Sequence, residues 1–292
     1  MKELILKQRK YAFFSVLTAV LLFASCESMT MESNDEKEAE KQTVTVSVMQ
    51  VENTPWNATR AAGDLCTRLS LAFFDGTTGE KVMQVDQVKA DEDFGTFVVE
   101  LARKTYHMVL IGYTADKAAS MNAYNDVKFD GNKITEVFSC YKSFKVDSEN
   151  TSLPVTLNRV SAMLGLEITG DIPDNVNRVL LRMVKPSRFL NPSTGLGNPY
   201  FKPINVEKFI EEGVNFYSTN IFAMAEPQVL DTVEISALVA SGDTIKHLVF
   251  IKQVEIAPNT KTIIKGDLFG KSSNMTVEID DTWNDDKVYD IP

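Results

Sequence analysis

Apolar residues stand at every second position in one short segment after another, and this two-residue period limits the fold more than any other feature of the chain. In Lys41 to Val51 (KQTVTVSVMQV), Val44, Val46 and Val48 alternate with Thr43, Thr45 and Ser47. Successive side chains of a strand point to opposite faces, so a segment of this kind buries one face and wets the other. The habit returns in CTRLSLAFFD, where Leu69, Leu71 and Phe73 share a side, and Asp75-Gly76-Thr77-Thr78-Gly79 then reads as a turn. Further strands are expected in KVMQVDQV, GTFVVELA, YHMVLIGYT and NKITEVFSCYKSF. Beyond a polar patch at Val146 to Ser152 come LPVTLNRVSAMLGLEITGDIP, NRVLLRMV, VLDTVEISALVA, DTIKHLVFIKQVEIA, TKTIIKGDLF and MTVEIDD. Many short strands with turn signals between them indicate antiparallel sandwiches. Two segments, ADKAASMNAYNDV and NVEKFIEEG, read as short helices. Between Pro186 and Pro203 the chain (PSRFLNPSTGLGNPYFKP) is too rich in Pro and Gly for a regular element, and a loop of that length is either functional or mobile.

The first 25 residues follow a different rule. Lys2, Lys7, Arg9 and Lys10 form a basic head before the apolar run Tyr11 to Phe23. That run is shorter than the roughly 20 residues that cross a bilayer, so it reads as a secretory signal peptide over residues 1–25. It closes with Phe23-Ala24-Ser25-Cys26, which resembles a bacterial lipobox, although Phe23 stands where leucine is usual. On that resemblance Cys26 is the lipid attachment residue, and acylation ties the chain to the outer membrane without spanning it. The alternative is an ordinary signal cut near Ser25. Residues 26–42 read as an acidic tether: Glu27, Glu32, Asp35, Glu36, Glu38 and Glu40 lie among polar residues with almost nothing to bury. An acidic run directly behind the cysteine resembles the surface-export signal of Bacteroidota lipoproteins, the alternative being a plain solvated linker.

Removing residues 1–25 takes away four bases and one acid, so the formal charge moves from −10 to −13. Such a surface repels nucleic acid and anionic lipid. The remaining length accommodates two domains, expected as an N-terminal sandwich over residues 43–150 and a C-terminal one over 151–292. Cys66 and Cys140 sit beside strands without clustered partners, so they read as two buried thiols rather than a metal site. His107 and His247 lie inside strands with apolar neighbours and read as structural residues. No phosphate loop, HExxH, GxSxG or CxxC pair is present. Asp280, Asp281, Asp285 and Asp286 lack the spacing of a calcium loop and read as a solvated acidic terminus, with Trp283 over the end of the core. Trp56 and Tyr200 fit either sugar stacking or packing. The chain therefore reads as neither an enzyme nor a metal or cofactor protein.

Three segments, in order, resemble the fimbrillin superfamily of Bacteroidales, the subunits of type V pili with their tip and anchor proteins. The first is the lipoprotein leader followed by an alternating strand and NATRAAGDLCTRLSLAFFD, in which Arg60-Ala61 sits where such pilins are cut by an arginine-specific protease. The second is LNRVSAMLGLEITGDIPDNVNRVLLRM, similar to an Arg-x-x-Ala strand. The third is PNTKTIIKGDLFGKSSNMTVEIDDTW, similar to the family's closing strand pair. The resemblance implies two transthyretin-like β-sandwich domains and assembly by strand donation: cutting after Arg60 releases the strand near residues 43–51, and a strand of the next subunit replaces it. Against this, Arg60 reads equally as a loop arginine.

After Trp283 only NDDKVYDIP follows, in which Val288 and Ile291 share no alternating face, so a tip, anchor or accessory subunit is expected at least as much as a stalk subunit. Asp231-Thr232-Val233 and Asp243-Thr244-Ile245 resemble the short O-glycosylation signal of this phylum at Thr232 and Thr244. The expected partners are other fimbrial subunits and the outer membrane, with a host surface or glycan as the adhesion target. The competing reading is a surface lipoprotein that binds glycans.

Overall fold

The computed structural model describes residues 40–52, 65–147, 151–270 and 275–280. They form an all-β protein of two lobes. The first contains β1 (Lys41–Glu52), β2 (Arg68–Asp75), β3 (Lys81–Val88), β4 (Thr96–Ala102), β5 (Thr105–Tyr113), β6 (Ser120–Ala123), β7 (Asp126–Lys128), β8 (Val137–Lys145) and β9 (Thr151–Arg159). The second contains β10 (Ala162–Ile168), β11 (Val176–Val184), β12 (Leu190–Asn191), β13 (Leu196–Gly197), β14 (Ile204–Phe209), β15 (Phe216–Ile221), β16 (Gln228–Val229), β17 (Thr232–Val239), β18 (Thr244–Ile251), β19 (Glu255–Ile256), β20 (Lys261–Gly266) and β21 (Met275–Asp280).

The first lobe is a seven-stranded sheet of order β3-β2-β5-β8-β9-β1-β4. Strands β8 and β9 pair only at Phe138↔Arg159 and Ser139↔Asn158. At that corner the sheet folds over, so that Val44, Val46, Val99, Leu153 and Leu157 share one core with Leu69, Leu71, Phe73, Met108 and Leu110. Pro154 has no N–H to give a ladder and is tolerated where β9 lacks β8 beside it. The second lobe packs sheet β15-β10-β20-β21 over sheet β14-β11-β17-β18, with Leu164, Leu166, Val179, Leu181, Val233 and Ile235 between them.

The two lobes repeat one connectivity. Strand β1 lies between antiparallel β4 and parallel β9, and β10 lies between antiparallel β15 and parallel β20. The facing layers correspond as well, β3-β2-β5-β8 to β14-β11-β17-β18.

Three sequence expectations are corrected. Thr151–Arg159, placed in the second half by the boundary at 150/151, belongs to the first lobe, because the polar patch before it is only the β8–β9 connection. ADKAASMNAYNDV holds the hairpin β6–β7 rather than a helix, its Met121 and Val127 both reaching the core. NVEKFIEEG contributes to β14, which gains a main-chain partner in β11, and tertiary pairing overrides its helix propensity.

The loop from 186 to 203 is also more regular than its composition suggests. Its hairpin β12–β13 extends β6–β7 into a four-stranded sheet through Leu190↔Val127. Asn198 Nδ2 donates to the Asn125 carbonyl at 2.8 Å. Beneath it Phe129 stacks on Phe222 with ring centroids 5.9 Å apart, joining the lobes in an apolar cluster with Phe74, Ile111, Tyr113 and Leu190.

Candidate functional site

Strand β1 sits in the middle of the three-stranded layer β9-β1-β4. Val44 to Ser47 have partners on both sides: Val44↔Val99 and Val46↔Phe97 on β4, Val44↔Thr151 and Val46↔Leu153 on β9. The last bond to the β4 side runs from Val48 N to the Gly95 carbonyl at 2.8 Å, after which β1 follows β9 alone. Val44 and Val46 are fully buried and Val51 is 3% exposed. Complete burial of a valine contributes about 1.5–3 kcal/mol, so these side chains and the two ladders hold the strand together. Withdrawing β1 leaves β4 and β9 without a neighbour in their layer and opens an apolar trough onto Leu71, Phe97, Leu101, Leu153 and Leu157. Unpaired edges of that kind recruit another strand.

The rim is built by a residue that the sequence reading did not single out. Gln87 is 5% exposed; its Nε2 donates to the carbonyls of Asp93 (3.2 Å) and Thr96 (2.8 Å), and its Oε1 accepts from Gly95 N at 2.9 Å. Gly95 needs its left-handed φ of 99° for this turn. An isolated glutamine in an alternating strand carries no sequence signal, so only the fold shows this clamp.

Cys26, Arg60 and Ala61, like Trp56, Trp283, Asp281, Asp285 and Asp286, lie outside the described residues. Arg60 nevertheless falls in the segment that links the end of β1 at Glu52 to β2. Thr244 is exposed at the start of β18, whereas Thr232 is half-buried at the start of β17, beside the Asp231–Lys185 ion pair of 2.7 Å. Cys66 and Cys140 lie in or against the first-lobe core; burial pushes the Cys66 thiol up to about 12 and raises that of Cys140.

The histidines do not form a site together. His107 on β5 stacks on Tyr124 at 4.2 Å, its Nδ1 2.8 Å from the Tyr141 hydroxyl, while exposed His247 on β18 meets Ser236 at 2.9 Å. Tyr200 packs edge-on to Phe189 at 5.5 Å. Among the described residues no group of three His, Cys, Asp or Glu side chains could hold a metal ion.

The second and third resemblance motifs meet in space. The side chain of Arg159 is 4% exposed; it donates to Asn259 Oδ1 and to Glu136 Oε2, each at 3.1 Å, and lies 5.1 Å over the Phe138 ring. Asn259 N returns a bond to the Ser161 carbonyl at 3.0 Å, and Val137 N donates to Ser161 Oγ at 3.1 Å. This buried arginine thus ties the end of β9 to the second lobe.

The fold is a two-lobed sandwich in which β1 fills the middle of the layer β9-β1-β4. No protein-family model and no curated protein matches the chain. Solved structures do match. A candidate polysaccharide-binding protein of Bacteroides thetaiotaomicron superposes with a TM-score of 0.55 at 10% identity, over 82% of this chain and 96% of that one. A candidate adhesin of Bacteroides ovatus gives 0.52 at 10% identity over 82% and 96%, and a candidate adhesin of B. thetaiotaomicron 0.50 at 11% over 84% and 98%. At such identities the common property is the fold, and it agrees with the paired sandwiches that the fimbrillin resemblance implied.

Proposed function

We propose that the chain is a structural and adhesive subunit of a cell-surface fimbria, not an enzyme, and that it assembles by accepting a strand in place of β1. One observation carries the reading: β1 is the central strand of its layer, yet it is joined to the rest of the fold only through the segment that contains Arg60. In this scheme Cys26 carries the lipid that holds the precursor at the outer membrane. A cut between Arg60 and Ala61 then detaches β1, and a neighbouring subunit fills the trough with main-chain hydrogen bonds and alternating apolar side chains. Thr244, exposed beside Asp243, is the more accessible of the two glycosylation candidates, with Thr232 the second.

The test is the intact mass and N-terminal sequence of the protein recovered from its native cell surface. A chain that begins at Ala61 supports a processed, strand-accepting subunit. A chain that begins at acylated Cys26 supports an anchor or a glycan-binding lipoprotein. The glycan reading rests on the polysaccharide-binding description of one fold neighbour and on Phe201, 79% exposed beside Tyr200. Loss of binding to immobilised polysaccharide in Phe201→Ser would favour it.

A further inference from the structure

Strand β1 is an imperfect occupant of its own place. Its register against β9 runs evenly from Val44↔Thr151 to Val48↔Val155, and then slips: Gln50, not Met49, pairs with Thr156, and Val51 with Leu157. Met49 is one residue too many on β1, a bulge in a parallel pair, where bulges are rare. It is 66% exposed and falls where β1 has just left β4. Because of it the inward positions are Val44, Val46, Val48 and then Val51, a spacing that breaks the period of two. Strand β9 has no such defect, since Leu153, Val155 and Leu157 face the core in strict alternation. The equivalent strand of the second lobe, β10, pairs with β15 and β20 without any shift.

From this we infer that the Met49 bulge keeps β1 a weaker occupant than the trough allows, and that the partner strand is a regular one. Its apolar residues stand at four consecutive alternate positions, running parallel to β9. Such a strand matches Thr151 to Leu157 residue for residue and continues the ladder through the point where β1 breaks it. The segment Asn284 to Ile291 does not meet the requirement. With Val288 and Ile291 set in the places of Val48 and Val51, Asp286 and Asn284 fall at the buried places of Val46 and Val44. The partner assignment rests on the strand-donation reading, whereas the bulge argument rests on the register alone.

The test uses the full chain and its deletion variant lacking Met49, which keeps every β1–β9 pair and restores even alternation. The deletion is expected to raise the thermal midpoint by about 2–4 °C. A lower midpoint in a folded variant overturns the inference and leaves strand donation standing. In parallel, the wild-type chain is cut after Arg60 with an arginine-specific protease. It is then offered two labelled peptides, residues 41–52 with Met49 (KQTVTVSVMQVE) and without it (KQTVTVSVQVE). The peptide without Met49 is expected to bind about tenfold more tightly, a comparison that holds even where the deletion variant fails to fold. Equal or weaker binding overturns the inference. Uptake of neither peptide by the cleaved chain overturns strand donation, and with it the partner assigned here.

Discussion

Strands β1 and β10 occupy equivalent places in the two lobes, but their registers and chain connections differ. Each lies between an antiparallel and a parallel neighbour, and each is buried: Val44 and Val46 in one lobe, Ala162, Leu164 and Leu166 in the other, are fully inaccessible. One difference is the register, which slips at Met49 on β1 and nowhere on β10; the other is covalent. Strand β10 is bound on both sides to folded strands, following β9 directly and preceding β11 after residues 169–175. On its C-terminal side β1 meets a longer connection, residues 53–67, in which a single cut separates it from everything that follows. Equal burial thus does not make the two strands equivalent; register and place in the chain set them apart.

The largest expected effect comes from a carboxylate in each central strand. Leu166→Asp places an unpaired charge inside the second-lobe core, costs about 4 kcal/mol or more and should abolish soluble folded protein. Val46→Asp should instead expel β1. Hydrogen exchange should then show lost protection in β1, β4 and β9 with β10 and β20 still protected, and faster cleavage at Arg60. If both variants lose protection over the same strands, the two lobes do not differ in the way argued here.

A smaller effect probes what couples the lobes. Arg159→Met removes the bonds from β9 to Glu136 and Asn259 and should cost about 2–3 kcal/mol, because they are charge-assisted and the guanidinium is buried. Denaturant unfolding checks the loss. A single transition that becomes two identifies Arg159 as the coupling element, and an unchanged midpoint would remove it from that role.

Much of the fold was legible because most strands of both lobes announce themselves by alternation, among them β1, β2, β4, β11 and β17. What stayed hidden was non-local. Strand β6 has one buried apolar residue, Met121, and β12 only Leu190, so neither has a period to read; β6 exists because it pairs with β7, and β12 because it pairs with that same strand across the lobes. Nothing in the sequence before β9 says which lobe it joins, since inward Leu153, Val155 and Leu157 fit either sandwich. For the site, the valines of β1 were visible as a strand, but its central position, the bulge at Met49 and the Gln87 clamp follow from register, which no single segment encodes. Arg159 stands in the Arg-x-x-Ala motif, yet its bond to Asn259 joins positions a hundred apart.

The smallest effect separates the lobes by pH. Both described cysteines belong to the first lobe, and Cys66 is 2% exposed against Leu69, Gly112 and Leu157. Burial pushes its thiol from 9.0 up to about 12. The unfolded chain then loses this proton near pH 9 while the folded chain keeps it. The stabilising balance present below pH 9 is therefore lost as pH rises towards 12, by about 1.4 kcal/mol at pH 10 from this one group. Cys66→Ala gives up some packing at pH 7 but flattens the alkaline limb, so the stability gap between wild type and variant should narrow from pH 7 to pH 10. Urea unfolding at the two values measures it. Parallel profiles would show that the thiol ionises as easily in the folded lobe as in the unfolded chain, and that the first-lobe core is open to hydroxide where its geometry shows it closed.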